Sequence, residues 1–110
     1  MRISIVTTCL NAASTIERTI ESVLSQTGDF ELEYIVTDAG STDGTLEIIS
    51  RYGDRIRSID ARKLTQSAGI NRGLRESTGE IVAFLNADDV YAPGALDEVG
   101  RRFRAAPHFV

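Results

Sequence analysis

Long apolar runs are missing from this 110-residue sequence. No stretch approaches the roughly 20 apolar residues that span a bilayer. The start, Met1-Arg2-Ile3-Ser4-Ile5-Val6, lacks the longer apolar segment and small-residue cleavage site of a secretory leader. Cysteine is almost absent. Cys9 stands alone, which excludes an internal disulfide and leads us to expect a reducing, cytoplasmic setting, with peripheral contact at the inner face of a membrane left open. An excess of positive charge is also missing: 12 basic against 16 acidic residues give a net charge of -4. A nucleic-acid partner is therefore not expected, whereas a phosphate-bearing small molecule is compatible if a divalent cation supplies positive charge. There is no GxxxxGK[ST] and no GxGxxG, so neither a P-loop nor a dinucleotide fingerprint is present. No linker, repeat or low-complexity segment divides the chain, and its length suits a single domain, 1–110.

What is present alternates. Ile3–Thr8 is a β-branched apolar run, suited to a strand buried on both faces. Ser14 and Glu17 have capping-box spacing, and Ile16, Ile20, Val23 and Leu24 form one helical stripe, with Gly28 as its stop. Tyr34–Thr37 reads as a second strand, followed by a short helix carrying Leu46, Ile49 and Tyr52. Ile56–Ile59 is a weak third strand, and 60–66 reads as loop. A helix over Ser67–Glu76 is interrupted by Gly69 and Gly73. Ile81–Leu85 is the clearest strand. Pro93 is placed to open a last helix with Leu96, Val99 and Phe103 on one face. Phe109-Val110 reads as the start of another strand, and His108 as tail. Strands alternating with helices predict a three-layer α/β/α sandwich around a mostly parallel, Rossmann-like sheet.

In such sheets ligands bind at the carboxyl ends of the strands. Three polar segments fall there: Thr7-Thr8-Cys9-Leu10-Asn11, Asp38 to Gly44, and Asn86-Ala87-Asp88-Asp89. Adjacent carboxylates in an extended segment point in different directions. Asp88 and Asp89 therefore suit two jobs, one holding Mg2+ or Mn2+ and the other accepting a ribose hydroxyl; a solvated turn with a helix-capping aspartate is the competing reading. Asp38 could accept a nucleobase imide N–H, or Ser41 and Asp43 could simply cap the next helix. Thr8 and Asn11 could face a base or merely close a strand and open a helix. Cys9 reads as a small buried hydrophobe, and Arg62, Lys63 and Arg72 as surface residues.

Together these segments resemble glycosyltransferase family 2. Ser4-Ile5-Val6-Thr7-Thr8-Cys9-Leu10-Asn11 resembles the family's first strand, and Ile16 to Gln26, ending Val23-Leu24-Ser25-Gln26, its first helix. Asp38-Ala39-Gly40-Ser41-Thr42-Asp43-Gly44-Thr45 is similar to its D-D/G-G-S-T-D-G-T loop, and Gln66 to Gly73 to its Q-S-x-A-x-N-x-G segment. Thr78 to Asp89 is similar to the T-G-E-I-x-x-F-L-N-x-D-D segment that carries the metal motif. The resemblance implies a GT-A fold, a nucleotide-diphosphate sugar donor, a glycan or lipid-linked acceptor, and transfer with inversion. By motif position, Thr8 and Asp38 would contact the base, Asp88 the ribose and Asp89 the metal, with Asn11, Ser41 and Gln66 completing the donor site. Ala39 and Ala68 stand where many members carry acidic residues. The chain is expected to be the donor-binding half, with the acceptor half and the general base downstream of Val110. The competing class is a non-catalytic nucleotide-binding or interaction module. The exposed apolar surface of a lone half would favour a homo-oligomer. A receiver-like domain would need an acidic pair where Thr7-Thr8 sits, and a sugar nucleotidyltransferase a glycine-rich basic loop after the first strand.

Overall fold

A computed structural model describes residues 1–105. The strand start at Phe109-Val110 and the tail reading of His108 lie outside the described residues. The elements run β1 (Arg2–Cys9), α1 (Ile16–Leu24), β2 (Glu31–Asp38), α2 (Thr45–Ser50), β3 (Arg57–Asp60), α3 (Gln66–Glu76), β4 (Ile81–Phe84) and α4 (Ala95–Ala105). The four strands form one sheet in the order β3-β2-β1-β4, and every pairing is parallel. β1 is central. Its side chains alternate between two covered faces, which is why its apolar run is nearly continuous.

Ile3 and Ile5 of β1, with Tyr34 and Val36 of β2, pack against Ile16, Ile20 and Val23 of α1, Ile49 of α2 and Leu96 of α4. Val6, Ile35 and Ile59 form the core of the opposite face, which α3 covers. The predicted three layers are therefore present. Among the described residues no buried side-chain polar atom lacks a partner; Thr7 Oγ1 and Tyr34 Oη, for example, lie 2.8 Å apart within the core. Among the same residues no helix is long and apolar enough to cross a membrane.

Several local expectations are corrected. The capping box does not form: α1 is capped at Thr15 without a side-chain cap bond. The chain first makes a turn in which the Ala12 carbonyl accepts the amides of Thr15 and Ile16, and that turn puts Ser14 on a cleft. α1 ends at Leu24, before Gly28, because the Gln26 side chain folds back to donate to the Ser22 carbonyl at 3.0 Å. β2 begins earlier than predicted, at Glu31. β3 is displaced one residue along the chain, so Asp60 belongs to it, and β4 ends at Phe84.

α3 begins at Gln66, since Thr65 caps it by accepting the Ala68 amide at 3.1 Å. Its glycines do not interrupt it. They are where the helix rests on β1: a methyl at Gly69 would meet Thr8 Cγ2 at 3.0 Å, and one at Gly73 would overlap Val6 Cγ1. Pro93 precedes Gly94, whose φ of 82° turns the chain, so α4 opens at Ala95 instead. Its buried stripe is Leu96 and Gly100, and Val99 is exposed, because α4 meets the core along a narrow strip beside Met1.

Candidate functional site

At the carboxyl edge of the sheet lies an open cleft of about 800 Å³. Its walls come from Thr8 to Ala12 at and just beyond the end of β1, Ser14 and Thr15 ahead of α1, Ala39 after β2, Leu64 to Gln66 at the start of α3, and Asn86 to Asp88 after β4. A parallel sheet brings these distant segments to one edge because each strand ends on the same side.

The β2 loop is built around Asp38. Its Oδ1 accepts the amides of Gly40 and Ser41, each at 2.8 Å, and its Oδ2 accepts the Ser41 hydroxyl at 2.6 Å and the Cys9 thiol at 3.4 Å. The residue is 2% exposed. Burial alone would raise its pKa, but the bonds from Ser41, Gly40 and Cys9 prevail and hold the carboxyl below the usual range. The Cys9 thiol is pushed up, first by burial and then by Asp38, so it remains a protonated donor and not a nucleophile.

This loop in turn fixes the one after β1. Three successive amides, of Asn11, Ala12 and Ala13, donate to Ser41 Oγ, Thr45 Oγ1 and Asp43 Oδ2 at 2.8, 2.9 and 3.1 Å. Asn11 Oδ1 returns a bond by accepting the Thr42 amide at 2.8 Å. To make these contacts Asn11 adopts φ 51°, a left-handed conformation that asparagine tolerates better than most residues. Asp43 also accepts the Thr45 hydroxyl at 2.6 Å, which heads the causes holding its carboxyl below the ordinary value. Beside it on the sheet edge, Thr8 Oγ1 lies 2.8 Å from Thr37 Oγ1.

Of the predicted site residues, Thr8, Asn11, Gln66 and Asp88 line the cleft. Asp38 and Ser41 stand behind it, tied into the loop, and the side that faces the cleft after β2 is Ala39. Asp89 is exposed and does not line the cleft; its Oδ2 accepts from Nδ2 of Asn86, a lining residue, at 3.2 Å. Among the described residues no three His, Cys, Asp or Glu side chains gather closely enough to hold a metal. The donor set still fits Mg2+ or Mn2+ in one way. Such cations use one or two carboxylates and complete their shell with waters and substrate phosphates, and Asp88 and Asp89 are both open to solvent.

The sequence model of Glycosyl transferase family 2 matches residues 4–110. The chain belongs to this family. An uncharacterised glycosyltransferase of Nostoc sp. (strain PCC 7120 / SAG 25.82 / UTEX 2576) is 36% identical over 110 residues, covering 96% of this chain and 34% of the relative. The poly(ribitol-phosphate) beta-N-acetylglucosaminyltransferase TarP of Staphylococcus aureus (strain N315) is 32% identical over 103 residues, covering 89% of this chain and 32% of that protein. Among solved structures, the mannosyltransferase PcManGT from Pyrobaculum calidifontis, in complex with GDP-Man and Mn2+, superposes with a TM-score of 0.81 at 26% identity, over 93% of this chain and 32% of that one. The fold is thus that of the GT-A glycosyltransferases, and the chain spans about a third of the length of the curated relatives it matches.

Within the family framework, sequence reasoning does not single out Leu64 and Thr65, yet both line the cleft. Thr65 carries a readable signal, a cap residue three positions before Ala68, whereas Leu64 carries none. The polar residues of α1 are also missed. Thr19 lies within the apolar stripe of that helix and is fully buried, a placement that needs a partner.

Proposed function

We propose that this chain is the donor-binding part of a glycosyltransferase that moves a sugar from a nucleotide-diphosphate sugar to an acceptor hydroxyl, with inversion. The observation that carries the reading is the convergence of four sequence-distant segments on one cleft, with Asp88 among its walls. Thr8, Asn11 and Gln66 offer hydroxyl and amide groups to the base and ribose. Asp88 accepts a ribose hydroxyl, and Asp89 holds Mg2+ or Mn2+. Asp38 and Ser41 act from behind, by keeping Ala39 and the Leu10-Asn11 turn in place. No lysine or arginine is among the lining residues described, and the chain is net acidic. A diphosphate brought here therefore needs positive charge from elsewhere, and a divalent cation, when bound, stabilises the charge of the leaving diphosphate.

The acceptor is a glycan or lipid-linked hydroxyl, and its proton passes to a carboxylate as the hydroxyl attacks the sugar. A module that binds without transfer gains no support from relatives named as transferases. Self-association belongs to the same reading, through the exposed Val82 and Phe84.

Calorimetric titration of UDP and GDP into the protein, with Mn2+ and with EDTA, tests the donor site. Tighter binding with Mn2+ is expected. Absence of binding to either nucleotide would leave the fold alone standing.

A further inference from the structure

The loop that carries Asp88 and Asp89 has no regular secondary structure, so most of its backbone groups have no partner in a helix or in the sheet. Apart from turns within the loop, such as the Asp89 amide donating to the Asn86 carbonyl, it is held by side chains of α1 and the residues just beyond it. Thr19, Ser22 and Gln26, spaced i, i+3 and i+7, share one helical face. Thr19 Oγ1 lies 2.9 Å from the Ala87 carbonyl oxygen and 2.7 Å from that of Asp89, and its one proton is shared between them. Ser22 Oγ accepts the Tyr91 amide at 3.1 Å. The Gln26 side chain donates to the Ala92 carbonyl and accepts the Leu96 amide, both at 3.0 Å. The three side chains therefore hold the backbone at five points, from just ahead of the aspartates to the start of α4. Thr19 is fully buried, so its hydroxyl has no water to exchange with.

Two of the five points, the carbonyls of Ala87 and Asp89, flank the peptide of Asp88. Without the Thr19 hydroxyl, neither carbonyl would keep its bond to α1, and the backbone that carries the two carboxylates would be less restrained. We infer that Thr19, supported by Ser22 and Gln26, is a positioning residue that sets where the two carboxylates stand. The inference rests on the proposed donor site. Its physical half, that α1 anchors residues 86–92, stands independently of any ligand.

A purely structural role would lower stability without touching metal dependence, so the test separates the two. Thr19→Val keeps the branched shape and removes the hydroxyl, Thr19→Ser restores it, and Ile20→Val perturbs the same helix away from the loop. Amide hydrogen exchange, read by mass spectrometry well below the unfolding temperature, should quicken across 86–92 in Thr19→Val alone. The affinity gain of Mn2+ over EDTA, with whichever of UDP or GDP the wild type binds more tightly, should fall about tenfold in Thr19→Val, the scale of losses seen when groups orienting a ligand are removed. It should recover in Thr19→Ser and hold in Ile20→Val. Should Thr19→Val fail to fold, Ser22→Ala, which frees the Tyr91 amide and otherwise removes only the serine's own bond to the Thr19 carbonyl within α1, should move both readouts in the same direction by less. Unchanged exchange across 86–92 would overturn the anchoring, and altered exchange with an unchanged metal gain would overturn the positioning role. A wild type with no metal gain would overturn the proposed donor site, leaving the exchange arm to decide the anchoring.

Discussion

Asp88 and Asp89 are neighbours with different surroundings. Asp88 borders the cleft, while Asp89, which is not among the lining residues, accepts a bond from Asn86, which is. Asp89→Asn should abolish most of the Mn2+-dependent gain in nucleotide affinity; Asp88→Asn should weaken binding yet keep the dependence. Both should fold, since removing one of two repelling, exposed carboxylates is neutral or slightly stabilising. Calorimetry with and without Mn2+ separates them, and an equal gain in wild type and Asp89→Asn would assign the metal to another residue. Asp38 is a different case. Its folded pKa lies below the unfolded value of about 3.9, so its stabilising contribution is complete above that value. It is lost as the pH falls through the lower folded pKa. Asp38→Asn should therefore cost about 1.5–3 kcal/mol at pH 7, the range for hydrogen bonds to charged groups, and less at pH 3. Urea unfolding at the two pH values checks the sign.

At the scale of elements, α3 and β1 make the closest approach in the molecule that glycine permits. Alanine normally favours a helix over glycine by about 1 kcal/mol. At Gly73 the overlap with the branched Val6 side chain on the central strand should reverse that preference, and Gly73→Ala should destabilise by about 1–3 kcal/mol. A gain in stability by urea unfolding would contradict the packing described. These glycines also show where sequence reading stops. On helix propensity alone they look like interruptions, because propensity does not register the strand underneath. β1 and β4 were legible because short apolar runs that hold β-branched residues and end in turn residues have few other uses, and the cleft was legible because parallel strands share an exit edge. Ser14 and Glu17 had the right spacing for a capping box, but bonds to the β2 loop decided the turn around Asn11. Which of residues 38 and 39 faces the cleft was not legible, since a tight turn sets it after the strand alternation has ended.

The whole molecule leaves one face of the sheet partly bare. α3 covers β1 and β2, while Val82 and Phe84 of β4, on the same side, are 39% and 49% exposed. Apolar surface of this kind favours association. Light scattering over a concentration series should show self-association, reduced by Phe84→Ser; a monodisperse monomer at high concentration would contradict it. The central position of β1 matters in another way. Of the four strands it comes first in sequence, and it pairs with β2, the next strand, on one side and with β4, the last, on the other. Contacts so distant in sequence form slowly, because the loop-closing entropy precedes the reward. The cleft is therefore complete only when β4 is in place, because Asn86 to Asp88, which follow it, form one of the walls. Under the proposed donor site, a nucleotide that binds all of these walls would stabilise the folded chain only once β4 has docked.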